Sequence, residues 1–391
     1  MELREKFKEV GAFVPHILLP AKGVDYSKYS VIACDQFSAQ PEYWEDVKAY
    51  VGNAPSSLNV ILPEAFLSSE SPERVAGINA AMRDYIERGV LEDIGEAMVY
   101  VERKTSSGVR KGLVLALDLE RYDYKKGASS LIRATEETVV ERLPSRIKIR
   151  SGAPLEIPHV MVLIDDKQKL LMGAIASIKT ELEQLYDFKL MLGSGGIKGY
   201  KLSSERALGA VADALLALKA QAAGGMLYAM GDGNHSFAAA KACWENIKSG
   251  LSEKEKETHP ARYCLVELVN LYDEALKFEP IHRVLFGVDP IKLQSEVGFD
   301  AKNPPSLQDL QPKLDAWLKN HPEAEIEYIH GEEDCKKLGD APDRLSIIFP
   351  DFQKDSLFDV VQKNGSFVRK SFSMGHAKDK RFYLEAHKIT L

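Results

Sequence analysis

The chain of 391 residues has no apolar run near the roughly 20 residues that a membrane-spanning helix needs. Residues 1–10 alternate charges and lack the apolar core of a signal peptide. Only four cysteines occur, Cys34, Cys243, Cys264 and Cys335, and no C-x-x-C pair is among them. This scarcity argues against a disulfide framework and against a zinc site. A cytoplasmic protein with reduced, mostly buried thiols and no membrane partner is expected.

The sequence also lacks any long basic run, and its formal net charge is −7. A broad surface that tracks the phosphates of DNA or RNA is therefore disfavoured as a partner site. The length is enough for two domains or one large one. A charged stretch, Ser249–His259, indicates a boundary, which predicts a main domain over 1–255 and a C-terminal region over 256–391 that completes the same site.

The pattern of apolar residues predicts an α+β fold in which helices pack on a mixed sheet. Segments 97–104 and 109–119 flank Thr105-Ser106-Ser107-Gly108 and are typical of an antiparallel hairpin, which argues against a purely parallel sheet. Further strands are expected at 29–33, 157–164, 263–270, 325–329, 345–349 and 381–385. Helices are expected at 71–89, from 168 to about 186, and at 203–222 and 307–320.

The most informative segment is Gly231-Asp232-Gly233-Asn234-His235-Ser236, which follows the apolar strand candidate 226–230. Phe237, Ala240, Trp244 and Ile247 then recur at helical spacing, so the segment opens a helix. A helix N-terminus offers backbone N–H groups and the positive end of the helix dipole, and it binds phosphate well. An ordinary capping turn explains the same residue types without any chemistry.

A second candidate is the glycine-dense stretch that contains Gly193, Ser194, Gly195, Gly196 and Lys198. Its backbone N–H groups could wrap an oxyanion while Lys198 supplies charge. It is not a Walker A loop, because no Gly-Lys-Ser/Thr follows at the required distance, and it does not fit G-x-G-x-x-G, because Lys198 stands where the last glycine would be. A flexible turn between two elements is the alternative.

Three weaker candidates carry charge. Arg133 and Glu136 suit a phosphate grip and a proton acceptor, or else they belong to a solvated helix face. Asp35 follows a short strand, where catalytic carboxylates are often found. His282 and Arg283 follow Pro280, and they suit either an anion site or ordinary packing.

The polar stretch Ser373–Arg381 is either a plain connection or a loop that brings His376 or Lys378 over a site.

These pieces occur in an order that resembles the family of conserved prokaryotic proteins catalogued as domain of unknown function 1015. The resemblance rests on Cys34-Asp35, Arg133 to Thr138, Gly193 to Gly199, Asp232 to Ser236 and Pro280 to Arg283, and it spans roughly 12 to 290. The central motif is also similar to the Asp-Gly-His-His-Arg motif of free serine kinases in the ParB and sulfiredoxin superfamily. Here Asn234 and Ser236 depart from that motif, so its terminal charge is missing.

The resemblance implies a ParB/sulfiredoxin-like element around this turn and a phosphotransferase with an alcohol group as acceptor, with free L-serine as the named substrate. Gly233 to Ser236 and Gly193 to Gly199 would hold the phosphates of ATP, ADP or pyrophosphate. Arg133, His282 and Arg283 would bind the same donor, and Asp232 would hold Mg²⁺. Asp35, Glu136 or His235 would handle the hydroxyl proton. A non-catalytic nucleotide-binding regulator of the ParB type is the alternative.

Overall fold

The computed structural model describes residues 1–138, 140 and 143–391, without the side chains of residues 35, 39, 68 and 69. The strands are β1 (Ala12–Phe13), β2 (His16–Pro20), β3 (Val31–Ile32), β4 (Leu91–Glu96), β5 (Met98–Thr105), β6 (Gly108–Asp118), β7 (Tyr122–Asp123), β8 (Ile132–Arg133), β9 (Leu155–Glu156), β10 (Met161–Ile164), β11 (Glu183–Lys189), β12 (Gly196–Leu202), β13 (Tyr228–Asp232), β14 (Tyr263–Asn270), β15 (Phe278–Phe286), β16 (Glu325–His330), β17 (Arg344–Ile347), β18 (Phe372–Met374), β19 (Phe382–Tyr383) and β20 (His387–Lys388).

The helices lie between these strands. They are α1 (Leu3–Glu9), α2 (Tyr26–Tyr29), α3 (Pro41–Val51), α4 (Pro72–Glu87), α5 (Leu143–Ser151), α6 (Leu170–Ile178), α7 (Glu205–Gln221), α8 (Asn234–Lys248), α9 (Glu253–Thr258), α10 (Pro290–Val297), α11 (Leu307–Leu318), α12 (Glu332–Leu338) and α13 (Leu357–Asn364). Within the described ranges, no helix combines the length and the apolar character needed to cross a bilayer.

A mixed sheet of ten strands organises the larger part of the chain, in the order β11-β12-β5-β6-β14-β10-β13-β8-β7 with β1 paired to β6. The predicted hairpin is present as β5 and β6, which pair antiparallel from Val99↔Val114 to Thr105↔Gly108. Strand β14 is parallel to β10 and antiparallel to β6. The α+β class is thereby confirmed.

The apolar strands of this sheet are buried on both faces. All eight residues of β14 are buried, which fits its nearly continuous apolar sequence. Helix α8 turns Phe237, Ala240 and Trp244 inward, as their spacing predicts. The four cysteines are buried and none forms a disulfide, as expected.

The chain forms two compact units. Unit 1 contains Met1–Leu276 and Ala377–Leu391, and unit 2 contains Lys277–His376. Unit 2 has its own sheet, in the order β16-β15-β17 with β18 paired to β15, over a core that includes Leu285, Leu310 and Ile347. The predicted boundary at 255/256 differs from the observed boundary after Leu276. Strand β14 lies between the two boundaries and is a central strand of the large sheet, so it belongs to unit 1.

Two predicted elements also differ from the structure. The expected helix from 168 to about 186 ends at Ile178, and residues 183–189 form the edge strand β11. In β11, Tyr186 is buried and Phe188 is half-buried, whereas Asp187 and Lys189, which alternate with them, are exposed, and this two-residue period suits a half-exposed strand. The charged stretch before residue 260 contains helix α9, which Ser252 and Glu255 begin with a capping box.

Candidate active site

The site is built on the turn between β13 and α8. Gly233 is the N-cap of α8 at φ 81, a left-handed conformation that glycine adopts without steric cost. A Cβ atom at this position would lie 3.1 Å from the Cα atom of Val160, so the turn packs closely on the segment before β10. Because Gly233 has no side chain, it cannot accept from the first helical N–H groups as a capping residue does.

Two polar atoms of this turn have informative surroundings. The Asn234 Oδ1 atom is buried without a hydrogen-bond partner among the described residues. A buried polar atom of this kind costs free energy unless a water or a ligand satisfies it. His235 is half-buried and takes part in an interaction of its own. The turn therefore places a buried polar atom at the N-terminus of α8.

Asp232 forms an ion pair with Lys380, which comes from the last segment of the chain. The Lys380 Nζ atom lies 3.0 Å from Asp232 Oδ2, and the lysine side chain is only 6% exposed. The Gly233 N–H group donates to Asp232 Oδ1 at 2.8 Å. Each carboxylate oxygen therefore has a partner, and one partner is a cation. A carboxylate has about four acceptor sites and these two contacts use two of them, so the role of Asp232 as an Mg²⁺ ligand stays a prediction.

A histidine, a serine and a tyrosine form a polar row beside the turn. Ser236 Oγ lies 3.5 Å from His159 Nε2, and Tyr383 Oη lies 3.1 Å from His159 Nδ1. Burial lowers the pKa of His159 from 6.5 and outweighs the carboxylates of Asp232 and Glu64, which raise it. Burial also raises the pKa of Tyr383. Both groups are therefore neutral near pH 7.

These three side chains line a cavity of about 150 Å³. Most of its other walls are apolar and include Leu62, Met82, Ile157, Val160 and Ala239. Its two arginines are each paired with a carboxylate: Arg146 with Glu64 at 2.7 Å, and Arg150 with Glu156. The cavity therefore joins a mostly apolar volume to the polar end of α8.

The segment that supplies Lys380 and Tyr383 is held by a buried charge network. The guanidinium of Arg381 donates to Glu267, to Glu385 at 2.8 Å and to the Pro158 carbonyl at 3.2 Å. Burial raises the pKa of Glu267, but Arg381 and Arg110 together hold it below its ordinary value. The network anchors the last fifteen residues of the chain, 377–391, against the large sheet.

The same segment is also fixed at the β5–β6 hairpin. Asp379 accepts from the Ser106 N–H group at 2.9 Å, and its backbone carbonyl accepts from Arg110 at 2.9 Å. The Lys378 carbonyl accepts from Arg103 at 2.9 Å. Lys380 is thus held between these contacts and the Arg381 network, which fixes where its ammonium group lies.

The glycine-dense stretch is not a loop around a ligand. Met191–Gly193 forms a short 3₁₀ turn, and Gly196–Leu202 is strand β12 between β11 and β5. Lys198 forms an exposed ion pair with Asp187 at 2.8 Å. Gly195 lies against the Lys104 carbonyl and Gly199 lies against the Tyr186 ring, where a Cβ atom would collide. The glycines allow close packing here.

The stretch is also separated from the turn within the sheet. Strands β5, β6, β14 and β10 lie between β12 and β13. Neighbouring strands are about 4.8 Å apart, so the two strands are about 24 Å apart along the sheet. Ser194 is buried beside Gly193 rather than exposed on a loop. None of residues 193–199 lines the cavity beside the turn.

Arg133 lies at the other end of β13. It is on β8 opposite Ala229, and its side chain donates to the carbonyls of Ser130, at 2.9 Å, and Gly224. Gly224 precedes β13, whereas the Asp232 turn follows it, so the guanidinium points away from the turn. Burial lowers the pKa of Arg133. The Arg133 guanidinium was predicted to contact phosphate, but in the structure it is bonded to backbone carbonyls.

Glu136 lies near the turn. The preceding residue, Thr135, donates from Oγ1 to the carbonyl of Met230 at 2.6 Å, and Met230 is two residues before Asp232 on β13. Glu136 is half-buried and has an interaction of its own. Asp35 begins a 3₁₀ helix after β3, as the strand-end prediction requires. Its side chain lies outside the described part of the structure.

His282 and Arg283 lie on β15 in the core of unit 2. His282 Nδ1 accepts from the Phe349 N–H group at 3.2 Å, and burial lowers the pKa of His282. Arg283 donates to Gln311 at 2.8 Å and to the Ile281 carbonyl at 2.6 Å, and it stacks on Tyr328. Both side chains are buried in structural contacts, so their predicted role at the donor has no support in this geometry.

Residues 18–340 match the family described as protein of unknown function DUF1015. The chain belongs to the DUF1015 family. No curated protein matches this DUF1015 protein significantly. Its fold is similar to that of a conserved hypothetical protein from Pyrococcus furiosus, with 13% identity, a TM-score of 0.36, and coverage of 71% of this chain and 95% of that chain.

A second similar structure is a mutant free serine kinase in complex with AMP. The two chains share 11% identity at a TM-score of 0.39, over 71% of this chain and 92% of the kinase. The DUF1015 protein therefore has a distant structural similarity to a serine kinase. Similarity at this level does not transfer an active site, because one fold carries many functions.

Sequence reasoning missed His159, Lys380 and Tyr383. His159 precedes the apolar strand β10, where only the strand itself was evident. For the polar stretch Ser373–Arg381, the prediction of a loop over a site names His376 or Lys378. His376 pairs with Glu279 in unit 2, and the side chain of Lys378 is exposed. The predicted residue Lys378 lies two positions before Lys380, which is the lysine that reaches the turn.

Proposed function

We propose that this DUF1015 protein is a small-molecule phosphotransferase with an alcohol group as acceptor. The observation that carries the proposal is the buried ammonium group of Lys380 at the N-terminus of α8. Helix N–H groups and a fixed positive charge together suit a phosphate. Phosphoryl transfer needs mainly positioning and charge neutralisation, which such a site supplies.

The turn and the cavity divide the reaction between them. Residues Gly233 to Ser236 and Lys380 would hold the transferred phosphate of ATP, ADP or pyrophosphate. The acceptor hydroxyl would come from the cavity that Ser236 and His159 line. Free L-serine is the first acceptor to test. Mg²⁺ would enter with the donor phosphates, and Asp232, which pairs with Lys380, would be its ligand from the protein.

The experiment incubates the protein with Mg²⁺, L-serine and each of the three donors, and it measures phosphoserine by mass spectrometry. Lys380→Met should reduce turnover at least tenfold, because it removes a charge-assisted hydrogen bond to phosphate. Lys378→Met is the matched control, since that lysine is exposed two residues away and only its backbone is bonded. No product with any donor and acceptor, at high protein concentration, would count against an enzyme.

The same experiment distinguishes the regulatory alternative. A non-catalytic nucleotide-binding protein would be stabilised by ATP or ADP without forming a product. The Lys380→Met variant would then lose the nucleotide-dependent rise in Tm, while Lys378→Met would keep it. A protein that shows neither turnover nor stabilisation contradicts both functions.

A further inference from the structure

The cavity beside the turn differs from what a zwitterionic amino acid such as serine requires. Its walls are mostly apolar, and its two arginines are paired with Glu64 and Glu156. Charged groups placed against apolar walls lose water without compensation. In serine the ammonium and the carboxylate are attached to the carbon next to the one that bears the hydroxyl, so both charges would be desolvated here.

The size of the cavity sets a second limit. Its volume is about 150 Å³. An apolar cavity of about 150 Å³ holds a benzene molecule. The CH₂OH group of serine would therefore leave much of the cavity empty. An apolar group of about the size of a benzene ring would fill it.

Two polar groups of the cavity, His159 and Ser236, lie beside the turn. His159 Nε2 lies 3.5 Å from Ser236 Oγ on the first turn of α8. A hydroxyl group placed against His159 is therefore next to the helix N-terminus where the phosphate is proposed to bind. The apolar body would extend toward Met82 and Ala239.

We infer that this cavity binds the acceptor as a primary alcohol with an uncharged apolar body of about the size of a benzene ring, and that His159 Nε2 takes the hydroxyl proton. The inference rests on the proposed phosphotransferase function. In the transfer step the bond between the acceptor oxygen and phosphorus forms, and the bond between phosphorus and the donor's leaving oxygen breaks. The electron pair of the broken bond stays on that leaving oxygen.

The surroundings of His159 suit this role. Burial keeps the imidazole neutral, and a neutral imidazole has one nitrogen that accepts a proton. The role requires the hydrogen on Nδ1, from where it donates to Tyr383 Oη and fixes the ring. After proton transfer, the nearby carboxylate of Asp232 stabilises the imidazolium, because it favours the charged form.

The first test measures acceptor binding without any phosphoryl donor. The probe is benzyl alcohol, titrated into the full-length protein with labelled histidine, and the readout is the ring signal of His159 in NMR spectra, assigned with His159→Gln. A saturable shift is expected, and L-serine should need at least a tenfold higher concentration for the same shift. No saturable shift with benzyl alcohol, or equal binding of L-serine, would overturn the inference.

Variants that fill the cavity make the test specific. Ala239→Phe places a ring where the ligand would lie, and Ala153→Val narrows the cavity less severely. Both should weaken benzyl alcohol binding at least tenfold, whereas Ala210→Phe on α7, away from the cavity, should not. Unchanged binding in a folded Ala153→Val variant and in Ala239→Phe would show that the alcohol binds elsewhere.

Failure of this inference and failure of the proposed function give different results. If benzyl alcohol binds but no donor phosphorylates any alcohol, the pocket stands and the phosphotransferase function fails. If L-serine is phosphorylated while benzyl alcohol does not bind, the function stands and the inferred acceptor class is wrong. Loss of turnover in His159→Gln with donor binding retained would then still identify the proton acceptor.

Discussion

Arg381→Met should destabilise unit 1 strongly, because it removes the charge that neutralises two buried carboxylates. The Arg381 side chain is 3% exposed, and its partners Glu267 and Glu385 are 2% and 0% exposed. Methionine keeps much of the length and the apolar packing of arginine. Removing one partner of a buried ion pair costs about 3–5 kcal/mol, a large part of the total 5–15 kcal/mol of a typical protein.

The exposed pair Arg88–Asp84 provides the matched control. Its N–O distance of 2.9 Å is close to the 2.8 Å between Arg381 and Glu385, but its side chains are 65% and 47% exposed. An exposed pair with this four-residue helical spacing contributes about 0.3–0.5 kcal/mol. Arg88→Met should therefore cost about a tenth of what Arg381→Met costs, although the two ion pairs have the same length.

The assay is urea unfolding followed by tryptophan fluorescence, with the free energy of unfolding taken by linear extrapolation. Trp44 and Trp244 lie in unit 1, whereas Trp317 lies in unit 2. A Trp317→Phe background therefore limits the signal to the unit that contains the network. A loss below 1 kcal/mol for Arg381→Met, or equal losses for both arginine variants, would refute the reasoning.

Three further predictions concern the turn. Lys380→Met should weaken the binding of inorganic phosphate about tenfold, whereas Asp232→Asn should tighten it by removing a competing carboxylate, and calorimetry measures both; weaker binding in Asp232→Asn would contradict the ion-pair interpretation. Gly233→Ala should cost about 1–2 kcal/mol for its left-handed backbone, plus the cost of close packing, in urea unfolding. Gly23→Ala, also at positive φ but with nothing within 4 Å, should show the backbone cost alone. The pKa of His159 is lower in the folded chain than the 6.5 of an ordinary histidine. As the pH falls below 6.5, the unfolded chain therefore protonates His159 before the folded chain does, and the free energy of unfolding decreases. His159→Gln should lose less stability than the parent between pH 6.5 and 5, and an identical pH profile would show that folding does not lower the pKa of His159.

Local signals predicted the strand, turn and helix at Asp232 because each depends on nearby residues. The spacing of Phe237, Ala240 and Trp244 follows from the helical repeat, and Gly233 marks a backbone conformation that other residues avoid. The hairpin was equally local, since its two strands are joined by a short turn. Elements of this kind are fixed by sequence neighbours and need no knowledge of the rest of the fold.

The order of strands in the sheet was not predictable in this way. Gly195 and Gly233 are both glycines with positive φ, yet one packs under the carbonyl of Lys104 and the other opens a helix. Nothing near Gly195 in sequence indicates that β5 covers it. Arg133 and Arg283 likewise have the composition of ligand-binding residues, but strand pairing determines that their donors face backbone carbonyls.

The source of positive charge at the turn shows what a long-range contact adds. Ser236 contributes a hydroxyl group and no charge, and the three cations predicted for phosphate, Arg133, Lys198 and Arg283, are bonded to other groups. The charge comes instead from Lys380, separated from Asp232 by 148 positions. Because Arg381 anchors the backbone beside Lys380, the proposed phosphate site and the stability of the C-terminal segment depend on the same contacts. Arg381→Met should therefore weaken phosphate binding even under conditions in which unit 1 stays folded, and a variant that keeps full phosphate affinity would show that Lys380 reaches the turn without this anchor.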